Sequence, residues 1–414
     1  MKLLEMHTLI ALGILFIAGY LGGRCANYLK FPRVTGYIIA GILLSPSLFG
    51  LLPGRVVEEE FLIVTDIALA IIAYSIGGSL KLSSLKLLGK SISWITLSQA
   101  LFAFIFTFIL VLALSPYFLG TRIPHASFLE IYLPLALIIG AVSTATDPAT
   151  ILAVIHEYKA KGPLTTTLLG VVALDDGVAI ILYAFAGTVV GALRKVGGIS
   201  LYNISVEPLI VIMGSLLLGT IFGFLLTKIA AWIKRKEALL VVILGNIFLC
   251  TGISAQLNLS PLLANMMLGF FVVNRAKHSH DLFRAIEENI EELIFVLFFT
   301  LAGAHINLAV MKIAGVLALI ITMARFVGKL LGAKLGADFS NAPEVVKNYL
   351  GYTLLPIAGV AMGLILMAKT LMASSPLVAE IMVNAVLGSI IINELIAPPL
   401  LKFIIIRSGE GAKG

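Results

Sequence analysis

Apolar residues run through this chain in long uninterrupted blocks, separated by short polar breaks. Thirteen such blocks fall near 6–24, 34–51, 61–80, 91–114, 131–155, 163–192, 208–230, 238–257, 260–274, 290–308, 312–336, 348–371 and 379–406. Most are close to 20 residues, the length an α-helix needs to cross roughly 30 Å of hydrocarbon. The short alternating segments of a transmembrane β-barrel do not appear. The pattern predicts an all-α polytopic membrane protein of about 13 transmembrane helices. The first block has Glu5 as well as Lys2 ahead of it, and Gly22-Gly23-Arg24-Cys25 offers no small-x-small cleavage site, so it reads as a retained span rather than a signal peptide.

Composition agrees: 60% of the 414 residues are hydrophobic and 12% charged, with a mean hydropathy of +1.08. The net charge of +7 is spread over short loops and is no nucleic-acid signature. It fixes orientation instead. Twenty of the 29 basic residues, among them Lys81, Lys159, Arg275, Lys347 and Arg407, fall on one side. The other side has only Lys2, Arg55, Arg122, Arg194, Lys195, Lys312 and Lys369. The positive-inside rule then puts the N-terminus outside and the C-terminus in the cytoplasm, which an odd number of spans satisfies. Cys25 and Cys250 are too few for a disulfide framework. The loop from Asn274 to Glu292 reads as a solvated amphipathic connector along the cytoplasmic surface. The six histidines sit at span ends or in loops. The terminal Gly409-Glu-Gly-Ala-Lys-Gly is a polar tail, and no Gly-rich nucleotide-binding unit occurs.

The informative residues are those that violate the pattern. Asp175 and Asp176 sit side by side in the middle of the sixth span. One such carboxylate at the bilayer centre costs about 2.5–3.5 kcal/mol on the lenient insertion scale, which makes it a functional-site candidate. Neighbours on a helix point about 100° apart, so at least one must face protein or a wet cavity. The fifth span holds Ser143-Thr144-Ala145-Thr146-Asp147-Pro148. Asp147 reads as the N-cap and Pro148 as the first residue of a second half-helix. The twelfth span is interrupted in the same way by Pro356, Gly359 and Gly363. Paired broken spans at matching places in two halves, with the seventh span left over as a linker, point to an inverted-repeat transporter rather than an enzyme. Arg325 and Lys329 lie four apart on one face of the eleventh span, beside a stripe of Gly328, Gly332 and Gly336 that lets another backbone approach.

At 1.5 Å per residue, Asp147, Asp175, Lys329 and Glu394 all fall roughly 10–18 Å deep. Asp147, Asp175, Asp176 and Glu394 oppose Arg325 and Lys329. If Lys329 pairs with one aspartate and Arg325 with Glu394, at least one carboxylate is left to bind a proton or a metal cation, not both. Glu394 reads equally well as a structural ion-pair partner. Two rivals come from other classes. An intramembrane aspartyl protease needs Tyr-Asp and Gly-x-Gly-Asp settings that are absent, and a sodium-coupled organic-anion symporter has no need of Lys329 opposite two aspartates.

These residues together resemble the monovalent cation/proton antiporter superfamily, specifically its two-aspartate sodium/proton antiporter branch. The resemblance runs over nearly the whole chain. It includes Phe31-Pro-Arg-Val-Thr-Gly-Tyr in the second span, Thr146-Asp147-Pro148, Asp175-Asp176, Gly328-Lys329-Leu-Leu-Gly332 and Asn393-Glu394-Leu-Ile-Ala-Pro398. It implies electrogenic exchange of Na⁺ or Li⁺ for H⁺, with potassium/proton exchange as the nearest alternative. No cofactor, nucleotide or nucleic acid is implied. It also implies a homodimer in a cell membrane, with a dimerisation part (1–80 and 238–308), a mobile ion-binding core (91–192 and 312–406) and a linker helix (208–230). The core would move like an elevator. Asp176 matches the ion-binding aspartate, with Thr146 and Asp147 as further oxygen ligands for Na⁺ and as the residues that stabilise the crossing. Asp175 matches the aspartate held by Lys329. The other main branch has Asn-Asp and an arginine on the eleventh span. This chain carries both Arg325 and Lys329, which leaves two candidate partners for Asp175.

Overall fold

The computed structural model describes residues 6–29, 33–120, 127–193, 201–233, 236–276, 279–357 and 359–411. Lys2, Arg122, Arg194, Lys195, His125 and His278 lie outside the described residues. The helices follow the thirteen apolar blocks in order. They are α1 (Thr8–Tyr28), α2 (Arg33–Leu44), α3 (Leu62–Ser79), α4 (Leu82–Leu119), α5 (Leu133–Val142), α6 (Pro148–Glu157), α7 (Pro163–Leu193), α8 (Leu201–Ala230), α9 (Lys236–Gln256), α10 (Pro261–Arg275), α11 (Ser279–Asn289), α12 (Glu291–Ala304), α13 (Leu308–Phe339), α14 (Glu344–Thr353), α15 (Gly359–Leu371) and α16 (Pro376–Arg407). No strand occurs among the described residues.

The fifth and twelfth blocks are each split, into α5 with α6 and α14 with α15, at the places where Asp147-Pro148 and Pro356 interrupt the apolar runs. The cause is local. Pro148 lacks the N–H a continuing helix would use, and Asp147 Oδ2 accepts the N–H of Thr150 at 3.0 Å, starting α6 afresh.

The glycine stripe on α13 meets α4. A Cβ at Gly328 would come 2.7 Å from Ala103 Cα, one at Gly332 2.6 Å from Gln99 Cα, and one at Gly336 2.7 Å from Ile95 Cα. Only glycine at these positions lets the two backbones close, and van der Waals contact plus backbone proximity is what holds helices together in lipid. α13 also packs on α16 and α14, while α4 packs on α5 and α7. These helices make one body. A second forms where α2 packs on α1 and α12 and where α3 packs on α10, with α8 lying against α7, α9 and α10.

The segment before α12, expected to be a solvated amphipathic connector, forms a helix with Arg284 and Glu288 exposed on its polar face. Its helix α11 buries Leu282 and Ile286, and Phe283 stacks on Tyr74 with ring centroids 4.8 Å apart. The segment has charged residues on one face and apolar ones on the other; α9, α10 and α12 supply most of the surface that covers the apolar side, and on α3 Gly78 leaves room for the Phe283 ring.

Candidate functional site

The two interrupted spans cross, and their loose ends are tied together. The N–H of Asp147, just before α6, donates to the carbonyl of Pro356, just after α14, at 3.0 Å. Carbonyls at the ends of α5 and α14 have no helical partner, and hydrocarbon offers none, so they need donors from protein. Arg325 on α13 supplies them. Its guanidinium donates from Nε to Ser143 O (3.0 Å), from Nη2 to Ala145 O (2.7 Å), Leu354 O (3.2 Å) and Pro356 O (3.2 Å), and from Nη1 to Leu355 O. The side chain is wholly buried. The cation lies where the negative ends of two half-helix dipoles meet, the position in which a positive charge is stabilised.

This overturns the pairing of Arg325 with Glu394. Among the described residues Arg325 makes no ion pair; it neutralises backbone, not a carboxylate. Glu394, on α16, is fully buried. Its Oε2 accepts the hydroxyl of Thr150 at 3.1 Å, and its Oε1 has no hydrogen-bond partner.

One turn along α13 from Arg325, the three donors of the Lys329 ammonium are all placed. Nζ lies 2.8 Å from Asp175 Oδ2, 2.6 Å from Thr146 Oγ1 and 2.6 Å from Thr144 O. Lys329 and Asp175 are both completely buried. Asp175 Oδ2 also accepts the hydroxyl of Thr146, and its Oδ1 accepts the side-chain amide of Gln99 on α4. Of Arg325 and Lys329, Lys329 is the one within ion-pair distance of Asp175. Gln99 was missed by the sequence reading. A neutral amide in an apolar span attracts no attention by charge, and its only advance signal was the glycine stripe that draws α4 onto α13.

Asp176, one residue on, is treated differently. Its Oδ1 is buried with no hydrogen-bond partner. The residue lines a cavity of about 740 Å³ together with Asp147 and Pro148. The cavity runs between α6, α7 and α15 on one side and α3, α11 and α12 on the other. Its walls are largely apolar, including Ile72, Val172, Phe283, Phe295 and Phe299, and its lining also includes Lys81, Ser279, His280 and Glu291. The roughly 100° between neighbours on α7 thus separates the pair, turning Asp175 into the packed body and Asp176 toward the cavity. Thr146 and Asp147, on the extended stretch between α5 and α6, are brought to the same place, Thr146 against Asp175 and Asp147 beside Asp176 in the cavity wall.

A buried carboxylate with an unpartnered oxygen beside an apolar-walled cavity is stable only with a bound proton or cation. Asp147 adds its oxygens in the cavity wall beside Asp176, while Thr146 is held between Asp175 and Lys329 and is not among the residues that line the cavity. Thr146 has two acceptor lone pairs, of which Lys329 occupies one.

Known proteins resemble this chain in sequence and in fold. Residues 12–404 match the family described as sodium/hydrogen exchanger, transmembrane. The chain is 23% identical over 345 residues to the Na(+)/H(+) antiporter of Enterococcus hirae, covering 81% of this chain and 83% of that protein. It is 20% identical over 400 residues to the Na(+)/H(+)-K(+) antiporter GerN of Bacillus cereus, covering 97% of each. Its backbone matches the solved structure of the sodium proton antiporter MjNhaP1 from Methanocaldococcus jannaschii with a TM-score of 0.78 at 18% identity, over 97% of this chain and 98% of that one.

Proposed function

The chain belongs to the sodium/hydrogen exchanger family, and from that premise we propose that it exchanges Na⁺ or Li⁺ for H⁺ across a cell membrane, with Asp176 as the group that binds either. The observation that carries this reading is the division of the aspartate pair. Asp175 is fully engaged by Lys329, Thr146 and Gln99. Asp176 faces the cavity with an oxygen to spare.

The coupling follows from electrostatics. An empty, charged Asp176 cannot be carried past the apolar seam between the two helix bodies without the cost of an uncompensated charge in hydrocarbon. A proton or a sodium ion neutralises it, so only the loaded states cross. Because the two ligands compete for one carboxylate, each moves at the expense of the other, and a gradient of one drives the other. Sodium is taken by Asp176 with oxygens of Asp147 and Thr146, beside the ion pair of Lys329 with Asp175.

The body of α4–α7 and α13–α16 acts as the moving core. The body of α1–α3 and α9–α12 is the scaffold and the site of homodimer contact, and α8 is the linker. With the N-terminus outside, the cavity mouth at Lys81, Ser279 and His280 faces the cytoplasm, so this conformation is inward-facing. Dimerisation is read out by the mass of the detergent-solubilised protein, and orientation by labelling of single cysteines from each side.

The test is proton movement in proteoliposomes on addition of Na⁺, Li⁺ or K⁺ in turn, with and without a membrane potential. Na⁺ and Li⁺ should move protons, and Asp176→Asn should abolish the response. A full response from that variant would overturn the role given to Asp176, and a response to K⁺ alone would make the chain a potassium/proton exchanger. Faster exchange under an imposed potential marks it as electrogenic.

A further inference from the structure

The polar tail after α16, which the sequence reading left without a role, is built into the start of α7. Gly409, at φ +79°, turns the chain off the end of α16, its N–H donating to Ile406 O at 3.2 Å. The turn delivers Glu410 to the first turn of α7. Its Oε1 accepts the N–H of Leu164 at 2.7 Å, and its Oε2 accepts the N–H and the hydroxyl of Thr165, each at 2.7 Å. Its own carbonyl accepts the N–H of Lys161 at 3.0 Å.

The first turn of a helix carries orphan donors and the positive end of the dipole, and a carboxylate satisfies both. Here Pro163 has no N–H to offer, and Glu410 takes the next two. Gly162 is shaped for it: a Cβ there would fall on the carboxyl group, 2.6 Å from Glu410 Cγ. A separate contact ties α16 to the end of α6, where Lys402 Nζ sits over the Tyr158 ring, 5.0 Å from its centroid.

α7 is the helix that carries the aspartate pair. Leu169, Val172, Ala173 and Asp176 form its wall of the cavity, and Asp176 lies about 16 Å along the helix from Thr165. We propose that Glu410 is a positioning residue for the exchange. By clasping the first turn of α7 to the end of α16 it fixes the axial position of Asp176 relative to Asp147 and Glu394. The inference rests on the sodium/proton reading and adds to it a residue that touches neither ion.

The test combines two measurements on purified full-length protein. Deuterium uptake at Leu164 and Thr165 reports the clasp itself, whatever the protein transports. Sodium-driven proton movement in proteoliposomes, normalised to folded protein, reports KM and turnover. Glu410→Ala should speed uptake at both amides, raise the KM for Na⁺ and lower turnover, together about threefold to tenfold, an effect of the size expected of a helix-terminus charge. Glu410→Gln, which keeps an acceptor oxygen, should recover part of the loss. Gly162→Ala should reproduce Glu410→Ala without touching the glutamate, and the double variant should be no worse than either single one. Wild-type KM and turnover in Glu410→Ala and Gly162→Ala, with or without faster uptake, would overturn the proposal, as would additive losses in the double variant. If the wild-type protein moves no protons in response to Na⁺ or Li⁺, the sodium/proton reading fails and the positioning role falls with it, while the uptake data still show whether the clasp exists.

Discussion

Replacing Arg325 by lysine keeps the charge and tests whether the arginine acts as a clamp on backbone or as an ion-pair partner. Arg325 reaches five carbonyls on two interrupted spans. Lysine has one nitrogen and three donors, so it can satisfy at most three of them. Pro356 O keeps the N–H of Asp147, so at least one carbonyl would be left buried without a donor, at a cost of about 1–3 kcal/mol. That is a large share of the roughly 5–15 kcal/mol that separates folded from unfolded protein. At about 1 °C per kcal/mol for a chain of 414 residues, the unfolding midpoint of the purified protein should fall by about 1–3 °C. Arg325→Met, which removes all the donors, should fall further. The stability effect should be nearly independent of Glu394, with a coupling below about 0.5 kcal/mol in the double-mutant cycle of Arg325→Lys with Glu394→Gln. A midpoint no lower than that of wild type for Arg325→Lys would refute the clamp. A coupling above about 1 kcal/mol would restore the ion pair with Glu394.

Two further outcomes follow from the same geometry. Lys329→Gln leaves Asp175 buried without its cation and should cost about 3–5 kcal/mol, whereas the double change Asp175→Asn with Lys329→Gln should regain most of that; thermal unfolding of the three variants decides it. Gly332→Val puts a branched side chain where a Cβ alone would lie 2.6 Å from Gln99 Cα. It should separate α4 from α13 and abolish both a monodisperse folded species on size exclusion and sodium-driven proton movement, while a folded, active variant would show that the close approach is dispensable.

Much of the site was legible because its signals are local violations of a simple pattern. In a chain of apolar spans, Asp147-Pro148, Pro356, Asp175-Asp176, Arg325 and Lys329 stand out by type alone, and the backbone rules for proline and capping place the breaks. The N-cap role of Asp147 could be read from its place before Pro148. What was not legible depended on residues distant in sequence. Gln99 is 76 positions from Asp175 and carries no charge. Glu410 lies 245 positions from Thr165, in a tail whose composition is that of any solvated end.

The sequence by itself determined that this is a helical membrane protein with two interrupted spans and more buried acid than base, because hydrophobic length, helix-breaking residues and charge counts act locally or add over the chain. Only the tertiary structure decided how those charges are paired. Arg325 went to carbonyls rather than to Glu394, and Lys329 to Asp175, because hydrogen-bond distance is set by which helices the glycine stripe and the crossing spans bring together. The same packing, with the turn of α7, separated two adjacent aspartates into one held in the core and one facing the cavity.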